Sequence, residues 1–484
     1  MPHLVTQLRK WLIRFGMGMG LILATVLAVR AYDAWRSPPL SLWHTEVPDE
    51  LDAAAIDAAD WPAWLAAEAR VMNEMRDNVT AKLPGKDQIP ANRYFAGSPM
   101  FSGRFTTDWN RSYLLTPAGT PRGAAVLLHG LTDSPYSLRH IGAFYASRGF
   151  VVVSIRMPGH GTVPAGLTRV RWEDWLAATR LAVRQARLSA GPDLPLHLVG
   201  YSNGGALALK YALDSLDDGG LARADQLVLI SPMVGITSFA RFAGVLGWPA
   251  AFPGFAKAAW LDTLPEYNPF KYNSFPVNGA RQSSQLVRAV EKQLRDRVKR
   301  GGLDRFPRVL AFQSAIDATV YSDAVVQFFA KLPAGGHELV FYDRNAAATA
   351  GPLVRTNSTD VLAQLASPAL RNFGVTLVTT ASADPSAMEA RHIAANQASP
   401  NITALPGYPA DMYSLSHVAL PFPMDDPLYG RAPATGESFG VALGTVAVRG
   451  ERGALVVGMD TLMRASSNPF FDYQLARIGE TLPE

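Results

Sequence analysis

The chain has 484 residues, 48% hydrophobic and 18% charged, with a formal net charge of +4; this length suits one large domain with insertions, or two domains, and supports a sizeable core. Residues 1–36 carry five basic residues and one acidic one, which leaves forty of each sign in the remainder, so the body lacks the basic bias of a nucleic-acid binder and no nucleic-acid partner is expected. There are no cysteines, which excludes disulfides, thiolate metal sites and a cysteine nucleophile without fixing the redox compartment.

The first element in the chain is the uncharged stretch FGMGMGLILATVLAV (15–29), preceded by Arg9, Lys10 and Arg14. Fifteen residues suit a signal-peptide core. Adding Trp11–Ile13, with Arg14 snorkelling toward the headgroups, brings the stretch close to spanning length. The processing site ending at Ala31 has arginine at its middle position, which favours an uncleaved signal anchor over a cleaved signal. A buried core helix fits the cationic flanks poorly. Positive charge ahead of the stretch keeps the N-terminus cytoplasmic, so the body is expected on the extracytoplasmic, periplasmic side; secretion after signal cleavage is the alternative.

Residues 37–118 read as an extension that packs on the main domain. Asp60 followed by Pro62 predicts a helix start, and Trp61, Trp64, Leu65, Val71, Met72, Met75 and Val79 follow at helical spacing as core contacts. The main domain is set at 119–484, and from about 123 the pattern alternates. GAAVLLHG reads as a buried strand before a helix over 134–148; FVVVSIRMPGHG is a strand, and RWEDWLAATRLAVRQARL a helix. LHLVG and GALALKYAL form another pair, followed by the strand QLVLISP. Continuous apolar strands separated by helices predict an α/β fold, with a mostly parallel sheet covered on both faces. Two insertions interrupt it. Residues 233–306 are rich in Trp, Phe and Pro, then form a charged helical run, and read as a cap. Residues 344–405 read as irregular apart from a strand FGVTLVTT. The strands RVLAFQS (308–314) and HELVFYD (337–343) lie between them.

The chemistry centres on Gly200-Tyr201-Ser202-Asn203-Gly204. A serine on a sharp strand-to-helix turn is held in a strained conformation that exposes its hydroxyl, and side chains two residues away on either side would collide, hence Gly200 and Gly204. An ordinary strand-to-helix turn is the bland alternative, but the preceding strand, the following helix and Gly205 favour a nucleophile. Ser202 then needs a base and a group that orients it, in the chain order acid, then histidine. Asp317 lies just past the C-terminal end of strand 308–314, the edge where parallel sheets carry chemistry; Asp343 is the runner-up. Six of the nine histidines precede the acid, and His337 starts its strand at the wrong edge. That leaves His417, in the loop SLSHVALPF, and His392, in SAMEARHIAAN, which reads as a helix. His417 is preferred. HGLTDSP (129–135) opens a helix after the first strand and offers the backbone N–H of Leu131, which with that of Asn203 would bind an oxyanion. His129 reads as structural and His160 as a loop residue near the pocket. No metal site or cofactor is expected.

With LLHGLTDSP, RMPGHG, GYSNGGA, QSAIDATV and SLSHVALPF in place, residues 120–420 resemble the α/β-hydrolase superfamily, in its monoacylglycerol lipase-like and serine aminopeptidase-like branch. The resemblance implies an acyl hydrolase with Ser202 as nucleophile, Asp317 and His417 as partners, and a cap over the pocket. YNPFKYNSFPVN (267–278) looks like cap sequence of exported bacterial hydrolases. The 100 residues between Asp317 and His417 exceed the short connection usual in that branch, and the N-terminal anchor and extension lie outside its frame. The expected function is a serine hydrolase of carboxylic esters with an apolar acyl group. Peptide or amide cleavage by the same triad is the alternative, and a non-catalytic membrane-anchored binding protein the rival from another class.

Overall fold

Six consecutive apolar residues in Gly123–Leu128, Phe150–Ile155 and Leu196–Tyr201 are buried along their whole length, as strands covered on both faces require. The computed structural model describes residues 2–36, 39–235, 256–317, 320, 322–343, 365, 371–381, 384–445, 450 and 466–483. Its strands are β1 (Tyr113–Leu115), β2 (Gly123–Leu128), β3 (Phe150–Ile155), β4 (Leu196–Tyr201), β5 (Gln226–Ile230), β6 (Trp260–Asp262), β7 (Phe275–Pro276), β8 (Arg308–Ser314), β9 (Glu338–Tyr342), β10 (Gly374–Ala381), β11 (Asp384–Ile393) and β12 (Asn401–Leu405). Ten of them form one sheet in the order β1-β3-β2-β4-β5-β8-β9-β10-β11-β12. The run from β3 to β10 is parallel, while β1, β11 and β12 each pair antiparallel with their neighbours. This is the α/β-hydrolase fold.

The helices are α1 (Pro2–Arg36), α2 (Leu42–Thr45), α3 (Ala53–Ala58), α4 (Trp61–Met75), α5 (Arg139–Ser147), α6 (Trp172–Ala190), α7 (Asn203–Asp214), α8 (Val277–Arg300), α9 (Ser322–Phe329) and α10 (Phe471–Gly479). Strand side chains alternate between the two sheet faces. Ala124, Val126, Leu128 and Leu198 therefore join α6, α7, α8 and α9 in one core layer. Ala125, Leu127, Val199 and Tyr201 join α5 and α10 in the other.

One reading of the insertions changes. SAMEARHIAAN is rich in helix formers, yet most of it is strand β11, which pairs with β10 over its length, and β12 pairs with β11 in turn. The expected irregular region thus contributes three strands to the main sheet, because sheet pairing outweighs a weak local preference. The charged run within the 233–306 insertion is helix α8, whose inner face (Leu286, Val287, Val290, Leu294) joins the core layer beside α6 and α7.

The extension is fastened by charge as well as by packing. Asp60 caps α4 by accepting from the N–H of Ala63, which puts Ile56, Trp61 and Trp64 into the first core layer. Arg156, at the end of β3, is fully buried. It donates to Glu50 at 2.6 and 2.9 Å and to Glu68 at 3.1 Å, both carboxylates coming from the extension. Burial works against the arginine's charge, but Glu50 and Glu68 hold it on. Residues 7–29 of α1 form a helix long and apolar enough to cross a membrane, with its apolar side chains exposed.

Candidate active site

Ser202 follows β4 and precedes α7 with φ 53° and ψ −113°, a conformation L-residues rarely adopt. Backbone hydrogen bonds hold it there. Its N–H donates to the Ile230 carbonyl at 2.9 Å, and its carbonyl accepts from the N–H groups of Gly205 and Met233, each at 3.0 Å. The flanking glycines are forced by close approach. A Cβ on Gly200 would stand 2.5 Å from the Gly204 carbonyl oxygen, and one on Gly204 would stand 1.9 Å from that of Leu128. Gly205 completes the set, since a Cβ there would press within 2.9 Å of Pro232.

Asp317 lies three residues beyond β8. Its Oδ1 accepts from the N–H of Val320 at 2.8 Å, and its Oδ2 from the buried Gln313 amide at 3.1 Å. The same Oδ2 is 2.9 Å from Nδ1 of His417. An ionised carboxylate there makes Nδ1 the donor and Nε2 the acceptor nitrogen of the ring. Both side chains are buried. Ser314, the last residue of β8, donates its hydroxyl to the Leu415 carbonyl at 2.8 Å, so the strand that leads to Asp317 also holds the loop that carries His417. Ser416 caps the short turn His417–Ala419 by accepting from Val418 N–H. The imidazole lies 5.5 Å, centroid to centroid, from the Tyr201 ring, one residue before Ser202.

The other candidates are elsewhere. Asp343 accepts from the Thr379 hydroxyl at 3.1 Å, and its N–H donates to Val378. His392 stands on β11 and not on the expected helix; it shares hydrogens with Thr376 at 2.9 Å and lies 3.5 Å from Glu338. His129 accepts the Met157 N–H on Nε2 at 3.0 Å, which leaves Nδ1 to donate to the Gly130 carbonyl at 2.9 Å. Burial lowers its pKa to about 4, so it is a neutral strut between the loop after β2 and the loop after β3. His160 is likewise fully buried, with Nδ1 on the Pro158 carbonyl.

The loop after β2 abuts the serine turn. A Cβ on Gly130 would lie 3.1 Å from the Tyr201 ring and 3.4 Å from Cβ of Ser202. Leu131 follows it directly, and Asn203 opens α7. The Asn203 side chain accepts from the Ser283 hydroxyl of α8 at 2.7 Å, and the Thr132 carbonyl accepts from Tyr272 N–H at 2.8 Å. Sequence reasoning missed these supports, and it missed Asp133. That carboxyl is buried in the same loop, and burial pushes its pKa up to about 6 against the opposing pull of Lys271, the Ser134 N–H, the Ser137 hydroxyl and His417. Among the described residues no group of three or more His, Asp or Glu is placed to hold a metal ion.

The structure thus places a strained serine between a parallel strand and its helix, and a carboxylate-bound imidazole against the ring of Tyr201, the residue before that serine. Residues 119–346 match the family model described as serine aminopeptidase. A thermostable monoacylglycerol lipase from Bacillus sp. (strain H-257) is 27% identical over 179 residues, 36% of this chain and 64% of that relative's length. Among solved structures, a metagenome-derived lipolytic enzyme aligns at 20% identity and a TM-score of 0.40, covering 53% of this chain and 95% of its own. The monoglyceride lipase of Saccharomyces cerevisiae aligns at 14% identity and a TM-score of 0.38, covering 48% and 81%. Residues 119–346 are thus similar to the monoacylglycerol lipase-like and serine aminopeptidase-like branch of the α/β-hydrolases.

Proposed function

We propose that the protein hydrolyses carboxylic esters through a covalent acyl-enzyme, with Ser202, His417 and Asp317 as its triad. Nε2 of His417 takes the Ser202 proton as the hydroxyl oxygen bonds to the ester carbonyl carbon. Asp317 holds the resulting imidazolium, and the backbone N–H groups of Leu131 and Asn203 stabilise the oxyanion. Collapse expels the alcohol with the proton from His417. Water, deprotonated by the same imidazole, then releases the acid and restores the serine. The carrying observation is the 2.9 Å contact between His417 and Asp317 on the sheet edge that presents Ser202 in its strained conformation.

The apolar N-terminal helix and the ester-cleaving relative support an apolar acyl group as substrate. We read residues 1–36 as a signal anchor with its basic flank, 37–118 as an extension, and 119–484 as the hydrolase domain, with a cap at about 233–306 and a second insertion at about 344–405. The catalytic body then lies on the extracytoplasmic face. A fluorophosphonate probe should label the wild type and not Ser202→Ala, with p-nitrophenyl ester hydrolysis lost in parallel; equal labelling of both would overturn the reading. The serine aminopeptidase description of the matching family favours amide cleavage as the second reading. A panel of acyl esters against aminoacyl amides separates the two, since the same triad serves both leaving groups.

A further inference from the structure

Helix α8 carries Arg281, Arg288, Lys292, Arg295 and Lys299, all exposed. Their spacings of seven, four, three and four residues return to nearly the same angle at 3.6 residues per turn. Five cations therefore form one stripe about 27 Å long on the outer face of the helix. The whole helix holds seven basic residues against two acidic ones, Glu291 and Asp296. Arg297 is off the stripe, buried and paired with Asp217 at 2.5 Å. Outside residues 1–36 the chain has equal numbers of each charge, so the stripe is a local concentration and not a reflection of overall composition.

Its place in the fold indicates what it meets. Residues 256–259 pack against both α8 and α1, so one short turn links the helix that carries the stripe to the helix able to enter a bilayer. We propose that the outer face of α8 docks on the anionic headgroups of the membrane in which α1 is embedded. Clustered Lys and Arg beside a membrane anchor are drawn to anionic lipid over roughly a Debye length. The inner face of the same helix reaches the catalytic loops: Ser283 donates to Asn203, and Gly279 lies beside Leu131. Docking would therefore hold the roof of the active site against the lipid surface. The inference goes beyond the proposed ester hydrolysis and does not depend on it, but it does use α1 as the anchor.

The chain contains no cysteine, so single reporters can be placed in the full-length protein. Gln285→Cys, in line with the stripe, takes a donor fluorophore; Leu188→Cys, on the exposed face of α6, is the control. Each is reconstituted into nanodiscs of phosphatidylcholine, alone or with phosphatidylglycerol, that carry acceptor-labelled headgroups. Energy transfer from position 285 should rise at least about twofold with the anionic lipid and fall back between about 0.1 and 1 M salt, where screening shortens from roughly 10 to 3 Å. It should be lost in Arg288→Glu/Lys292→Glu/Arg295→Glu, while position 188 stays unchanged throughout. Equal transfer in both lipids, or transfer indifferent to the charge reversal, would overturn docking and leave an acidic protein as the stripe's occupant. Failure of the chain to enter the discs would overturn docking together with the anchor.

Discussion

At the scale of single residues, the position of the proposed base, His417, depends on groups that take no part in the proposed bond breaking. Asp317 fixes the imidazole only while its own carboxylate is fixed, by Val320 N–H on one oxygen and the Gln313 amide on the other. Asp317→Asn keeps the shape but offers an N–H where Nδ1 needs an acceptor, and should lower kcat about a thousandfold or more. Gln313→Leu removes one support and leaves the acceptor, so a fall in kcat of roughly tenfold, with KM little changed, is expected. Steady-state kinetics on one p-nitrophenyl ester checks both; a Gln313→Leu enzyme with wild-type kcat would show that the amide does not position Asp317. Ser202, Gly200 and Gly204 were legible because steric crowding at the turn dictates their spacing. Gln313, Ser283 and Asp133 were not, since second supports of a site obey no spacing rule.

At the scale of elements, the extension is part of the folded body. Glu68 stands on α4 and reaches Arg156 and Ser112, the latter through both its N–H and its hydroxyl at 3.0 and 2.8 Å. Glu68→Ala would leave a fully buried guanidinium short of one of its two carboxylates, a change that typically costs about 3–5 kcal/mol. Denaturant unfolding of Glu68→Ala should show that loss, and a loss under about 1 kcal/mol would mean Glu50 suffices alone. The alternation of strands and helices between 123 and 232 was readable because a parallel sheet imposes it. β11 and β12 were not readable. Ala, Glu and Met favour a helix locally, and only pairing with the neighbouring strand makes Met388–Ile393 extended. The His417 loop was found by elimination, and the physical reason it closes over 100 residues, the Ser314 bond to Leu415, is tertiary.

At the scale of the whole molecule, buried neutral histidines set the acid limit. Burial lowers His44, His129 and His337 to about 4 and His197 to about 3. Unfolded, each would titrate near 6.5. Below about 6.5 the unfolded chain gains protons that the folded one refuses, so stability is greatest above that pH and falls as pH drops toward 4, each group adding up to about 1.4 kcal/mol per pH unit. Asp426 extends the loss. Burial alone would raise its carboxyl, but the His140 hydrogen bond and the Arg139 charge hold it down at about 2, so its contribution fades between about 4 and 2. Thermal melts should show Tm dropping steadily from pH 7 to 5; a flat profile over that interval would contradict the neutral burial of these rings.

The same long-range closure governs when the protein becomes competent during its synthesis. Ser202 and Asp317 leave the ribosome well before residue 417, and the Leu420 carbonyl just beyond the base is gripped by Asn468 at 3.4 Å and Gln474 at 3.3 Å. On the proposed triad, a nascent chain would therefore hold its nucleophile and acid but no seated base until residues 468–474 have emerged. If that triad is the one used, chain release before about residue 474 would yield a silent product, with the Ser202 hydroxyl dormant through translation and any translocation that accompanies it.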